Sequence, residues 1–292
     1  MRDLLRAIVV LSVTLVVAAA TAWAASAHSA TLLGLPAPLV AAAVAFAVNL
    51  AGFVPAALLR TERFYDATGT LSFLAVLAVA LAAAPSWSLP RVLPALLVAV
   101  WTLRLGSFLV ARIRRASKDG RFDEIKGRPA RFLVAWALQA LWAQLTSLPA
   151  VMLVSAREER TLSAIELAGY ALWVVGFVLE LVADRQKSAH ARKAPGTFIT
   201  SGLWRFSRHP NYLGEIALWL GLFIAGAAIY QGPLAWIAAA LSPVLVFVLL
   251  RFVSGIPLLE ARADQRWGAD PAYRAYRDST SLLVPLPLLS RR

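Results

Sequence analysis

Hydrophobic positions fall into eight long runs, at 4–25, 33–59, 68–85, 91–111, 132–155, 163–183, 212–229 and 232–252. Each approaches the roughly 20 residues that a helix needs to cross about 30 Å of hydrocarbon. Backbone polar groups cannot be left unpaired in lipid, so such runs read as membrane helices. The expected fold class is all-α, a polytopic transmembrane helical bundle of seven to eight spans. A short helical tail follows. Its apolar positions recur at helical spacing from Pro257 to Trp267, then a Gly-Ala-Asp-Pro turn leads to a second helical turn carrying Tyr273 and Tyr276.

The polar segments between the runs set the topology. With the N-terminus inside and eight spans, all but four of the 29 Lys and Arg fall on inner segments. Arg91, Arg157 and Arg160 fall in outer loops, and Arg104 falls within a span. This pattern follows the positive-inside rule and places both termini in the cytoplasm. The inner loop 112–131 holds a turn at 118–121. The first run follows Arg2 and Arg6 and precedes Ala-Ser-Ala, which fits either a retained span or a signal-like segment; its length favours the span. Residues 1–30 thus read as an extra N-terminal span, and 31–292 as a single membrane domain.

Composition changes this picture little. Hydrophobic residues make up 60% of the 292, with a mean hydropathy of +0.68, too apolar for a soluble domain. The net charge of +13 belongs to the inner loops, not to a nucleic-acid surface. The absence of Cys excludes disulfides, thiolate ligands, cysteine nucleophiles and iron–sulfur clusters. Three histidines without an HExxH run leave no metal site to expect.

Candidate chemistry gathers at 202–215, GLWRFSRHPNYLGE, where polar residues press against the mouth of an apolar helix. Ionisable groups are costly there and mark a functional site. Arg205, Arg208 and His209 precede a helix start, an arrangement that suits an anion. Asn211 and Glu215, flanking Tyr212, are four apart and share one helical face. Glu180 and Asp184 repeat that spacing at the inner end of the preceding span. They either accept hydrogen bonds from ribose hydroxyls or a carboxamide, or form an interfacial ion cluster with Arg185 and Arg192. The basic set Arg185, Lys187, Arg192, Lys193, Arg205 and Arg208 suits either dinucleotide phosphates or lipid headgroups. No GxGxxG run is present, so any dinucleotide would bind among helix ends. His209 is either a proton donor or a structural residue. The other tryptophans read as core and interface belts, and Gln139 and Gln144 as cavity-lining or helix-bridging.

RHPNYLGE at 208–215, followed by an apolar helix, resembles the C-terminal signature of the steroid 5-alpha-reductase-like membrane proteins. More narrowly, it is similar to their bacterial relatives of unassigned function, the DUF1295 group, which implies a bacterial inner membrane. The resemblance is specific over 169–285 and implies NADPH held in the cytoplasmic half of the bundle. It places Asn211 and Glu215 on that family's cofactor Asn and Glu, and Glu180 and Asp184 on its polar-x-x-x-Asp pair, with Glu180 in place of Asn. Arg192 is the nearest match to its cofactor Arg. Hydride would pass to an activated C=C of a lipophilic sterol- or isoprenoid-like substrate.

For that substrate, Tyr65 and Asp66 stand at a span entrance, and either suits the acid that polarises a conjugated carbonyl. Trp101 and Arg104 are the pocket candidates in the next span, where Arg104 needs a carboxylate partner such as Asp66. Two alternatives stand beside the reductase. One is an isoprenylcysteine- or phospholipid-type methyltransferase using S-adenosylmethionine, whose RHP-x-Y-x-G run overlaps 208–214. The other is a lipid- or cofactor-binding membrane protein without turnover.

Overall fold

The computed structural model describes residues 2–116 and 122–285. The turn expected at 118–121 lies outside the described residues. The chain forms α1 (Arg2–Ala24), a two-residue hairpin β1 (Thr31–Leu32) and β2 (Leu35–Pro36), α2 (Ala37–Leu58), α3 (Tyr65–Ala83), α4 (Leu89–Ala116), α5 (Pro129–Ser155) and α6 (Ala164–Lys193). Then come α7 (Pro210–Gly226), α8 (Gly232–Val248), a π turn (Leu249–Val253), α9 (Ile256–Trp267) and α10 (Pro271–Ser279). Among the described residues, seven helical stretches are long and apolar enough to cross a membrane: α1 to α6, and Gly232–Trp267. The eighth apolar run is α7, which at 17 residues extends only about 26 Å. The protein is an integral membrane protein.

The chain divides into two compact units, Met1–Glu166 with Gly226–Ser242, and Leu167–Ala225 with Pro243–Arg292. In the first, α5 is the central helix and packs against α1, α2, α3 and α4. Its small residues Ala140, Ala143 and Ala150 are fully buried and let neighbouring helices approach. Its two glutamines bridge helices. Gln139 Nε2 donates to the Tyr65 carbonyl at 3.1 Å, and Gln144 Nε2 donates to the Ala18 carbonyl at 2.8 Å and to Thr21 Oγ1 at 3.2 Å. Ser242 Oγ adds a bond of 2.7 Å to the Thr146 carbonyl.

The C-terminal end of α5 leaves carbonyls without intrahelical partners. Arg91 and Arg160 satisfy two of them, at Val154 and Leu153, and a third arginine ties the following segment down. The fully buried Arg91 donates to the carbonyls of Val154 at 3.4 Å, of Ala156, and of Glu158 at 2.8 Å. Arg160 donates to Leu153 at 2.9 Å and Pro90 at 2.6 Å, and pairs with the buried Glu166. Arg157 Nε donates to the Ser29 carbonyl at 2.7 Å.

In the second unit α6 and α7 run side by side at backbone contact. A Cβ on Gly169 would lie 2.5 Å from the Gly221 carbonyl, and one on Gly221 would lie 2.6 Å from that of Gly169. Close approach of this kind needs small residues on both helices. Past α8, the Ser254 amide reaches back to the Leu249 carbonyl at 2.9 Å, and Gly255 separates the π turn from α9. The tail forms as expected: Asp270 caps α10 by accepting from the Ala272 amide at 2.8 Å.

Candidate functional site

The end of α6, the loop 194–209 and the tail helices α9 and α10 line an open cavity of about 420 Å³. That lies within the range of small-molecule and cofactor sites. The loop and the amphipathic tail helices meet here because each offers aromatic residues to the other. Phe198 of the loop is edge-on to Trp267 at 5.8 Å and to Tyr273 at 5.2 Å, and stacks on Tyr276 at 6.0 Å. Trp267 and Tyr273 touch at 5.9 Å. These rings form one aromatic wall.

Hydrogen bonds tie the wall in place. Trp267 Nε1 donates to the Gly196 carbonyl at 2.8 Å, and Gly196 takes the left-handed φ of +89° that this turn requires. The Tyr276 hydroxyl donates to the Trp204 carbonyl at 2.7 Å, and Trp204 Nε1 donates to the Ala183 carbonyl at 3.1 Å. Burial pushes the Tyr276 phenol up to about 12, so it stays a donor at neutral pH.

Charge lines the rest. Lys187 lies over the Trp204 ring at 5.0 Å, Arg266 lies over Trp267 at 5.1 Å, and Arg262 stands exposed on the same helix. Glu260 is the carboxylate of the wall. It binds Arg208, and its Oε1 lies 2.7 Å from His209 Nε2. Burial holds the His209 imidazole below its usual range, and the hydrogen bond it donates to Glu260 only partly opposes this. Tyr212 stacks flat on the imidazole at 5.6 Å.

Two acceptors of this stretch are buried without a hydrogen-bond partner: Nδ1 of His209, a residue of the wall, and Oδ1 of Asn211, two residues further along the chain. Asn211 uses its other atom, Nδ2, to donate to Asp184 Oδ1 at 3.2 Å. The two pairs inferred from four-residue spacing therefore meet across α6 and α7. A Cβ on Gly214 would touch the Glu180 amide nitrogen at 2.6 Å, so Glu180 stands at the same crossing. Glu180 is buried, and Glu215 is half-buried on α7.

Of the expected cofactor residues, Arg208 and His209 line the cavity; Glu180, Asp184, Asn211, Tyr212 and Glu215 do not, although Asp184 is joined to Asn211. Arg192 and Arg205 do not line it. Arg192 is exposed on the last turn of α6, and Arg205 is exposed with its guanidinium 4.3 Å from the Phe206 ring. The sequence reading missed Phe198, Trp204, Trp267 and the role of Glu260. The amphipathic tail with its aromatic positions was the available signal.

The expected substrate residues belong to the first unit. Tyr65 donates to the Ala135 carbonyl at 3.1 Å and packs on Phe122 and Trp136 at 4.7 and 5.3 Å. Asp66 lies in the first turn of α3. Trp101 is enclosed by Phe73 and Trp142 at 5.4 and 6.3 Å, a core position. Arg104 is half-buried on α4. Among the described residues, no group of three or more His, Cys, Asp or Glu is placed to hold a metal.

Known proteins resemble this chain in part. It is 27% identical over 169 residues to the "Uncharacterized protein C594.04c" of Schizosaccharomyces pombe, which covers 50% of this chain and 46% of that one. The chain thus spans about half the length of the curated relative it matches. No solved structure matches it. The family model described as "Protein of unknown function (DUF1295)" matches residues 52–280, and the chain belongs to that family.

Proposed function

We propose that the protein is a membrane-embedded reductase that binds NADPH at the aromatic and basic cavity of α6, α9 and α10. The observation that carries this reading is the pairing of that wall with two orphaned acceptors. Phosphates favour Arg262, Arg266 and Lys187, and an adenine ring favours Phe198, Trp267 and Tyr273. A buried acceptor with no donor costs about 1–3 kcal/mol, so His209 Nδ1 and Asn211 Oδ1 call for a ligand bearing N–H or O–H groups. A nicotinamide nucleotide carries both kinds. The residues present therefore fit the group, and Arg208, His209, Asn211 and Asp184 would hold its polar end. By the positive-inside rule the cavity opens to the cytoplasm, where this cofactor is found.

When bound, the nicotinamide would supply a hydride to the β-carbon of a conjugated C=C. The chain must then supply a proton donor to the carbonyl that polarises that bond. The apolar bundle suits a lipophilic substrate of sterol or isoprenoid type.

S-adenosylmethionine is the rival cofactor. An aromatic wall with a carboxylate would suit its sulfonium. But Glu260 is already bound by Arg208 and His209, and the remaining charges are cationic, which repels a sulfonium.

The test is calorimetry on the full chain in detergent with NADPH and with S-adenosylmethionine, followed by NADPH oxidation with a panel of lipophilic enones. NADPH binding weakened by Arg266→Glu supports the reading. Binding of S-adenosylmethionine alone supports the methyltransferase. NADPH binding without oxidation on any enone supports a non-catalytic binding protein.

A further inference from the structure

His209 is 5% exposed, and the environment of its two ring nitrogens differs sharply. Nε2 lies 2.7 Å from Glu260 Oε1, and a carboxylate can only accept, so Nε2 must carry the proton. A neutral imidazole has one proton, which leaves Nδ1 as a bare acceptor. That nitrogen is enclosed and has no partner. The ring cannot turn over to relieve this: Tyr212 stacks on its face within 10° of parallel, and flipping would forfeit the bond to Glu260. The fold therefore holds one tautomer and presents one unsatisfied acceptor in a residue of the cavity wall.

We infer that His209 reads a neutral hydrogen-bond donor of the bound nucleotide through Nδ1, with Glu260 as the positioning residue that fixes its tautomer. This rests on the nucleotide reading above and names the atom that selects the ligand. The donor is neutral because Arg208 and Lys187 stand close enough to act on the ring, and a third cation would be repelled. A ribose hydroxyl or the carboxamide NH₂ meets that description. His209 thereby acts as an acceptor, the reverse of a proton donor.

Two substitutions separate the halves of the ring. Asn at 209 places an acceptor near Nδ1 but cannot reach Glu260. Gln at 209 reaches Glu260 but offers nothing at Nδ1. NADPH binding to the full chain in detergent is the readout. His209→Gln should weaken it by about tenfold, the worth of one hydrogen bond left unmade, while His209→Asn stays within about threefold. An NADPH analogue with acetyl in place of carboxamide assigns the donor. If His209→Gln no longer matters for it, the donor is the carboxamide; if the tenfold loss persists, it is the ribose. The opposite ranking of the two variants would mean that His209 acts only through Glu260, and overturns the inference while leaving the nucleotide reading intact. Ligand-free protein labelled with ¹⁵N-histidine gives an answer independent of nucleotide. The expected spectrum shows Nε2 protonated and Nδ1 bare, with Glu260→Gln, whose NH₂ can donate, shifting the proton towards Nδ1. A wild-type ring protonated at Nδ1 also overturns it.

Discussion

Gly176 of α6 and Gly214 of α7 meet so closely that a Cβ on either would lie 2.6 Å from the other's carbonyl oxygen. Gly169 and Gly221 repeat the contact seven residues away along each helix. The neighbours are backbone, which cannot give way as a side chain tip would. This crossing also brings Asp184 to Asn211, so the packing of small residues positions the polar pair at the site.

A larger residue at 176 should therefore force the helices apart. Gly176→Ile is expected to destabilise the fold by about 1–3 kcal/mol, the range for overpacking. NADPH affinity should fall with it, because Asn211 loses Asp184. Unfolding by titration of denaturing detergent into mixed micelles gives the first quantity. Leu220→Ile, at an exposed position of α7, should change neither. Equal stability of Gly176→Ile and wild type would show that the crossing is looser than described.

At the C-terminal end of α5, Arg91 owes its effect to carbonyls rather than to its ion pair. Glu159 lies 3.5 Å away but its side chain is 63% exposed, so that pair contributes little. The carbonyls of Ala156 and Glu158 lose their donor if Arg91 is truncated, and a buried polar group left unpaired costs about 1–3 kcal/mol. Arg91→Met should thus cost about 3 kcal/mol, and Arg91→Lys nearly as much, since an ammonium lacks the planar fork. Glu159→Gln should be close to neutral in the same unfolding assay. A large effect of Glu159→Gln with a small effect of Arg91→Lys would return the stabilisation to the ion pair.

These contacts also mark what the sequence could tell. The spans were legible because lipid demands long apolar runs, and all eight became helices. The pairs Glu180/Asp184 and Asn211/Glu215 were legible from their helical spacing, but the meeting of Asp184 with Asn211, across 27 residues, was not. Arg91, Arg157 and Arg160 had stood as exceptions among basic residues collected on inner loops. The structure gives each a job: all three donate to backbone carbonyls. Their acceptors are main-chain groups, which carry no side-chain signature. The pairing of Glu260 with His209 crosses 51 residues, and Phe198 joins the aromatic wall from a loop with no period to read. Gly169, Gly176, Gly214 and Gly221 were available as a seven-residue repeat on both helices, and a search for small-residue spacing would have found them.

Two titrations bound the stability of the tail on opposite sides of neutrality. Burial holds the folded-state value of His209 below its ordinary 6.5, so the unfolded chain takes up the proton first. The stability it contributes is complete above 6.5 and is lost as pH falls through the lowered value. Tyr276 behaves oppositely. Its value rises from 10.0 to about 12, so its contribution is complete below 10.0 and is lost as pH climbs towards 12. Tail docking should accordingly weaken in mild acid and again in strong alkali, followed by limited proteolysis between α8 and α10 and by Trp267 fluorescence. His209→Asn should shrink the part of the acid limb that begins near 6.5, leave the part due to Glu260, whose carboxyl is also held below its ordinary value, and leave the alkaline limb unchanged. Tyr276→Phe should shrink the alkaline limb, leaving the part due to Tyr273, whose phenol burial also raises, and cost about 1 kcal/mol at neutral pH, the worth of its bond to Trp204. A wild-type tail that tightens in acid would mean that protonated His209 is favoured by Glu260 over its desolvation, and would invert the assignment of its charge.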